Sequence, residues 1–95
     1  MFNYQVYFII KGRIKQGKAE QEFEKISKQY DKMVQIKEAN FVGKRKLAYS
    51  VKNNTEGYFG VIKFSVETKE IAFKSEEILQ ANDNILKYIT IREEN

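Results

Sequence analysis

The stretch EGYFGVIKF (residues 56–64) predicts where its strand lies within a sheet. Aromatic and β-branched residues dominate it, and these favour extended backbone. Because successive side chains of a strand point to opposite faces, Ile62 and Phe64 share one face while Phe59 and Val61 share the other. A strand that is apolar on both faces is typical of the interior of a sheet, so we predict a central strand here.

The residues on either side of this stretch predict the remaining elements. YQVYFII (residues 4–10) is a second strand that is apolar on both faces. Apolar residues spaced by three and four predict an amphipathic helix over 19–34, and Thr68 predicts the N-cap of a second, shorter helix. Gly43 marks a bulge within a long extended segment. The predicted second strand, turn, third strand and last strand are 36–51, 53–57, 58–66 and 85–91.

The element order strand, helix, strand, strand, helix, strand indicates an α+β fold. It predicts a ferredoxin-like sandwich, βαββαβ, with a four-stranded antiparallel sheet and two helices on one face. We expect a single domain over residues 1–95, because the chain is too short for a second core. The first and third strands would be central and the second strand would lie at an edge.

Only one face of such a sheet packs on the helices, so the second apolar face needs a covering partner. Lys63 and Ser65 follow Phe59 and Val61 in the same alternation, which makes that face the wetter one. The sequence alone leaves the opposite orientation open, and on the last strand Leu86, Tyr88 and Thr90 compete with Ile89 and Ile91 for this face. The candidate partner-protein face consists of Tyr7, Ile9, Phe59, Val61, Ile89 and Ile91.

The composition limits the possible functions. The chain contains no Cys and no His, which excludes disulfides and thiolate metal sites and removes the commonest general acid-base group. We therefore expect no enzyme, no catalytic residue, no metal, no cofactor and no small-molecule substrate. No apolar run approaches membrane-spanning length and no secretory leader is recognisable, so we expect a cytoplasmic protein. Adjacent carboxylates, including Glu93 and Glu94 in an expected frayed tail, form no catalytic pair.

Basic residues suggest a polyanionic partner. Seventeen Lys and Arg against thirteen Asp and Glu leave a net charge of +4, which suits nucleic acid but is common in other proteins. Candidate RNA-binding residues are Lys44, Arg45 and Lys46 on the second strand and Arg92 on the last. Lysines on an edge strand also prevent edge-to-edge aggregation, so both interpretations remain open. A further basic loop, KGRIKQGK (residues 11–18), is either solvated or RNA-facing.

A longer segment, GKRKLAYSVKNNTEGYF (residues 43–59), resembles the bacterial small-subunit ribosomal protein six family. That family carries a Gly, a basic pair and a Leu-Ala-Tyr run on the second strand. NYQVYFII (3–10) is similar to its first strand, and NDNILKYITIREE (82–94) to its last loop and strand. The chain departs from the family pattern at Gln5 and Ser50. The residues that match the motif are Gly43, Arg45, Lys46, Leu47, Ala48 and Tyr49.

This resemblance implies a structural component of the small ribosomal subunit. Such a protein binds the central domain of small-subunit rRNA as a heterodimer with ribosomal protein eighteen. In the family, the partner protein covers the sheet face away from the helices, which gives the second apolar face an occupant. The implied location is the ribosome.

Two other functions remain open from the residues alone. EGYFGVIKF partly matches the octapeptide of RNA-recognition motifs, so a free single-stranded RNA-binding module could stack bases on Tyr7 and Phe59. The match is incomplete, because the motif needs aromatics two residues apart and Tyr58 is adjacent to Phe59. A homo-oligomeric regulatory module would instead pair this face with a second copy.

Overall fold

The computed structural model describes residues 1–93 and has the predicted element order. It contains β1 (Phe2–Lys11), α1 (Gln16–Asp31), β2 (Gln35–Val51), β3 (Asn54–Val66), α2 (Lys69–Gln80) and β4 (Ile85–Glu93). The strands form one antiparallel sheet in the order β2-β3-β1-β4, so the ferredoxin-like prediction with central first and third strands is confirmed. Glu93 belongs to β4 rather than to a frayed tail, and the expectation for Glu94 lies outside the described residues.

The core lies between the sheet and the two helices. Val6, Phe8 and Ile10 of β1 are at most 1% exposed, and they share this face with Ile62 and Phe64 of β3. These side chains alternate along each strand with residues that point away from the helices. The helices therefore cover one face only, and the other face has no covering element among residues 1–93.

α1 packs on the sheet through one stripe of side chains. The stripe consists of Ala19, Phe23, Ile26 and Tyr30, whose spacing of three and four places them on one side of a helix. The helix ends at Asp31, earlier than the sequence predicted. The buried side chain of the predicted last residue, Val34, follows in a turn closed by a backbone hydrogen bond from its N–H to the carbonyl of Tyr30 (2.9 Å).

The turn between β2 and β3 is tighter than predicted. Lys52 and Asn53 both have positive φ angles, 48° and 66°, and lie between the paired residues Val51 and Asn54. This is the geometry of a two-residue hairpin loop, whose backbone twist matches that of the strands. Gly57, predicted to be part of the turn, instead lies within β3. A Cβ there would lie 2.3 Å from Cγ2 of Ile9, so the glycine is needed for close packing.

Two local predictions are confirmed. Gly43 has a φ of 107° and lies at a register shift between β2 and β3, which is a bulge. Thr68 caps α2, because its Oγ1 accepts a hydrogen bond from the N–H of Ile71 at 3.4 Å. By contrast, the N-cap of α1 is Lys15, whose side chain makes no capping hydrogen bond.

Candidate protein and nucleic-acid interface

The candidate partner-protein residues lie together on the sheet face that the helices leave open, here called the open face. Residues paired across neighbouring antiparallel strands point to the same face. Tyr7 pairs with Val61 on one side and with Ile89 on the other, and Ile9 pairs with Phe59. Ile91 lies one row further, beside Gln5. The six side chains thus form one apolar stripe across β3, β1 and β4. Their role as a binding face stays a prediction.

Contacts with α2 orient β4. The hydroxyl of Tyr88 accepts a hydrogen bond from Nε2 of Gln80 (2.8 Å), and Oγ1 of Thr90 donates to Oε2 of Glu76 (2.7 Å). Both side chains therefore point to the helix side. Leu86, which alternates with these two residues, is buried as well, and a register shift between Ile9 and Ile10 pairs Ile10 with Ile85. Ile89 and Ile91 consequently project from the open face.

The apolar stripe is accessible to a partner. Ile89 is 58% exposed, Ile91 47% and Tyr7 37%, while Ile9, Phe59 and Val61 are half-buried by their neighbours. Large apolar side chains scattered singly over a surface need no explanation, but these are contiguous on three adjacent strands. Such a patch is typical of a protein interaction site.

Polar groups border the stripe on the β2 side. Nζ of Lys63 lies 3.5 Å from Oε2 of Glu38, and Nδ2 of Asn40 donates to Oε1 of the same carboxylate at 2.9 Å. The hydrogen bond from Asn40 and the charge of Lys63 lower the pKa of Glu38 below its ordinary value. An apolar centre with a polar rim is the usual anatomy of a protein–protein interface.

The candidate rRNA-binding residues are not brought into one site. Lys44 forms an ion pair with Glu56 (Nζ–Oε2 3.3 Å) and lies 5.6 Å from the ring centroid of Tyr58. Arg45 projects from the open face, while Lys46 pairs with Glu56 in the strand register and so shares the face of Lys44. All three are exposed residues of the β2 edge.

Arg92 lies far from this group. Its guanidinium stacks on Phe2 at 4.8 Å from the ring centroid, and it pairs with Tyr4 near the start of β1. Arg45, on β2, lies at the opposite edge of the sheet, in the row of Lys11. Lys11 is seven residues further along β1 than Tyr4, the partner of Arg92. The separation along the strands is about 23 Å. Phosphate binding by any of these residues stays a prediction.

Sequence reasoning did not single out Lys87, and it did not place Lys11 on the open face. Lys87 pairs with Ile9, and Lys11 pairs with Gly57, so both lie at the end of the apolar stripe nearest Arg45. Sequence pattern could give the face of each residue but not this row, because the row depends on the register between strands. Nearby, Nη2 of Arg13 donates to the carbonyl of Asn53 (2.7 Å), which joins the basic loop to the β2–β3 hairpin.

Residues 1–93 lack two other kinds of site. No group of three or more His, Cys, Asp or Glu in this part of the chain has the arrangement of a metal site. Neither α1 nor α2 is long and apolar enough to cross a membrane.

Comparison with known proteins supplies the family. The family model described as ribosomal protein S6 matches residues 3–92, nearly the whole chain. The chain belongs to the ribosomal protein S6 family. This match confirms the resemblance that the second and third strands carry. Family membership implies a structural role in the small ribosomal subunit.

Two curated relatives agree with the family assignment, and one solved structure shares the fold. The chain is 34% identical over 95 residues to the small ribosomal subunit protein bS6 of Desulforudis audaxviator, covering 99% of this chain and 100% of the relative. It is 31% identical to bS6 of Desulforamulus reducens, covering 98% of each chain. The crystal structure of 30S ribosomal protein S6 from Thermotoga maritima superposes with a TM-score of 0.88 at 24% identity. That match covers 97% of this chain and 87% of the other, and it shows the shared fold.

Proposed function

We propose that this S6-family chain binds the central domain of small-subunit rRNA as a heterodimer with ribosomal protein eighteen. The observation that carries the proposal is the contiguous apolar stripe on the open face. Family membership supplies the ribosomal context, and the stripe supplies a surface that needs a protein partner. The mechanism is assembly rather than chemistry: the two proteins associate first through this face and then present a joint surface to folded rRNA.

Burial of the stripe provides the driving force for this association. Complete burial of a fully exposed large apolar side chain contributes about 1.5–3 kcal/mol. The six residues of the stripe are already partly covered, so each contributes only in proportion to the surface that is still exposed. The Glu38–Lys63 pair on the rim adds little affinity but favours one register of the partner. The joint surface would then recognise rRNA by its shape and by phosphate contacts, with Lys44, Arg45, Lys46 and Arg92 as the candidate contacts.

The test is substitution at the centre of the stripe. Phe59→Asp places a charge that the partner would have to desolvate, so we expect heterodimer affinity to fall at least about 100-fold. The matched control is Phe73→Asp, because Phe73 is an aromatic residue that is 74% exposed on α2, away from the open face. Isothermal titration with purified ribosomal protein eighteen measures the affinity of each variant, and circular dichroism checks the fold.

Each alternative function predicts a different result when RNA binding and self-association are measured on the same two variants. Loss of fold in Phe59→Asp would show that the side chain belongs to the core, and equal losses in both variants would contradict a specific face. Unchanged heterodimer affinity with loss of RNA binding would favour base stacking on the open face. A chain that dimerises alone and loses its dimer on Phe59→Asp would favour the homo-oligomeric module.

A further inference from the structure

Three cations stand together at one end of the open face. Lys11 and Arg45 lie in one row of the sheet on either side of Gly57, and Lys87 lies in the next row beside Ile9. Because strands are about 4.8 Å apart, the Cα atoms of Lys11 and Arg45 are separated by about 10 Å. Between them the row carries no side chain, since its central residue is glycine. We call Lys11, Arg45 and Lys87 the cationic triad.

The triad has no acidic counterpart among the described residues. The two ion pairs in this part of the chain use Lys44 and Lys63, so no carboxylate of residues 1–93 lies within ion-pair distance of the triad. Arg45 and Lys87 are exposed and Lys11 is partly buried. Like charges held on one surface repel each other, and an external polyanion relieves that repulsion.

The backbone beneath the triad is fixed by contacts with neighbouring segments. The N–H of Lys11 donates to the carbonyl of Asn84 at 2.8 Å, which ties the end of β1 to the loop before β4. Nη1 of Arg45 donates to the carbonyl of Lys44 (2.9 Å), which restricts the guanidinium. The bond from Arg13 to the hairpin joins a further basic loop to the same end of the sheet. Of the three side chains, only that of Arg45 is held by a hydrogen bond among the described residues, and a preorganised cation loses less conformational entropy when a ligand binds.

The position of the triad also limits what it can bind. It borders the last apolar row, Phe59 and Ile9, rather than interrupting the stripe. A protein partner seated on the stripe would therefore leave the triad at its rim, where a third molecule can reach it. The opposite end of the open face carries Glu38, Lys63 and Glu93 and has no comparable excess of positive charge.

We propose that Lys11, Arg45 and Lys87 bind backbone phosphates of RNA at the border of the partner-protein face. This inference rests on the proposed function and adds two residues, Lys11 and Lys87, to its RNA contacts. Phosphodiester groups fit three separated cations because they repeat along the strand and can be contacted without regard to sequence. RNA would then touch both the triad and the partner protein, which makes RNA binding dependent on the heterodimer.

The test compares two variants of the heterodimer, each of which loses three positive charges through substitution by glutamine. The triad variant combines Lys11→Gln, Arg45→Gln and Lys87→Gln. The control variant removes the same charge from exposed helix positions by combining Lys25→Gln, Lys28→Gln and Lys74→Gln. Affinity for a central-domain rRNA fragment is measured across a salt series. Each lost phosphate contact should reduce the salt slope by about 0.7–0.9. We expect the triad variant to lose about 2–3 in slope and about 100- to 1,000-fold in affinity near 0.1 M salt, with little change in the control.

A footprinting measurement on the unmodified chain does not depend on the folding of any variant. Lysine acetylation of the preformed heterodimer, with and without RNA, should show protection of Lys11 and Lys87 but not of Lys25 and Lys74. An unchanged salt slope in the triad variant, together with unchanged acetylation of Lys11 and Lys87, would overturn the proposal that the triad binds RNA while leaving the proposed function in place. Loss of heterodimer formation in the triad variant would overturn it in favour of an acidic protein partner. A heterodimer that binds no RNA at all would overturn the proposed function itself, and the triad with it.

Discussion

At the scale of single residues, Tyr30 connects the core to solution pH. Its side chain is fully buried between α1 and the sheet, with its ring 5.6 Å from that of Phe64. Burial raises the pKa of Tyr30 to about 12, and the nearby charge of Glu76 acts in the same direction. Between pH 10 and 12 the unfolded chain loses this proton while the folded chain keeps it. The free energy of unfolding should therefore fall by about 2–3 kcal/mol across this interval.

The check on this prediction is Tyr30→Phe, which removes the titrating hydroxyl. Urea unfolding of both proteins between pH 8 and 12 isolates this contribution, because the two proteins differ only at this hydroxyl. The difference in stability between the two proteins should be constant below pH 10 and should shift in favour of the phenylalanine variant above it. Parallel curves over the whole range would show that Tyr30 titrates normally.

At the scale of elements, the two helices begin differently, and the difference is testable. Thr68 accepts a hydrogen bond from the N–H of Ile71 at the start of α2, so Thr68→Ala should lower the free energy of unfolding by about 1 kcal/mol.

The N-cap of α1 is Lys15, which has no capping bond and places a positive charge at the positive end of the helix. Lys15→Asp should therefore raise stability by about 1 kcal/mol in the same urea assay. Changes of the same sign in both variants would contradict this account of the caps.

Elements are also the scale at which the sequence was most informative. Alternating apolar residues in β1 and β3 could be assigned to two faces because a strand repeats every two residues, and this placed both strands in the centre of the sheet. The hairpin turn could not be placed, because several residues of NNTEG tolerate turn geometry and only the register shows that Lys52 and Asn53 form it. Gly57 was misassigned for the same reason, since its close contact with Ile9 comes from a different strand.

The candidate interface was predictable in part. The face of Tyr7, Ile9, Phe59 and Val61 follows from alternation and from the wetter residues that continue it. The neighbours of these residues do not follow, because they depend on strand register and on the bonds that orient β4. Thus the ion pair of Lys44 with Glu56, the remote position of Arg92 and the cationic triad emerged only from the folded chain.

At the scale of the whole molecule, the two faces of the sheet differ in what covers them. One face holds the helices and provides stability through a core that reaches from β1 to α2. The other presents an apolar stripe with a polar rim on one side and cations at one end. This division favours a protein that works within an assembly, because burying the apolar open face against a partner removes it from water and is therefore favourable in free energy.

The most direct measurement is binding of a central-domain rRNA fragment by the purified chain, by ribosomal protein eighteen and by an equimolar mixture, at several salt concentrations. If the open face binds the partner, only the mixture should bind tightly, with an affinity that falls steeply as salt rises. Comparable binding by the chain alone would contradict the account, because the sheet itself would then be the RNA-binding surface.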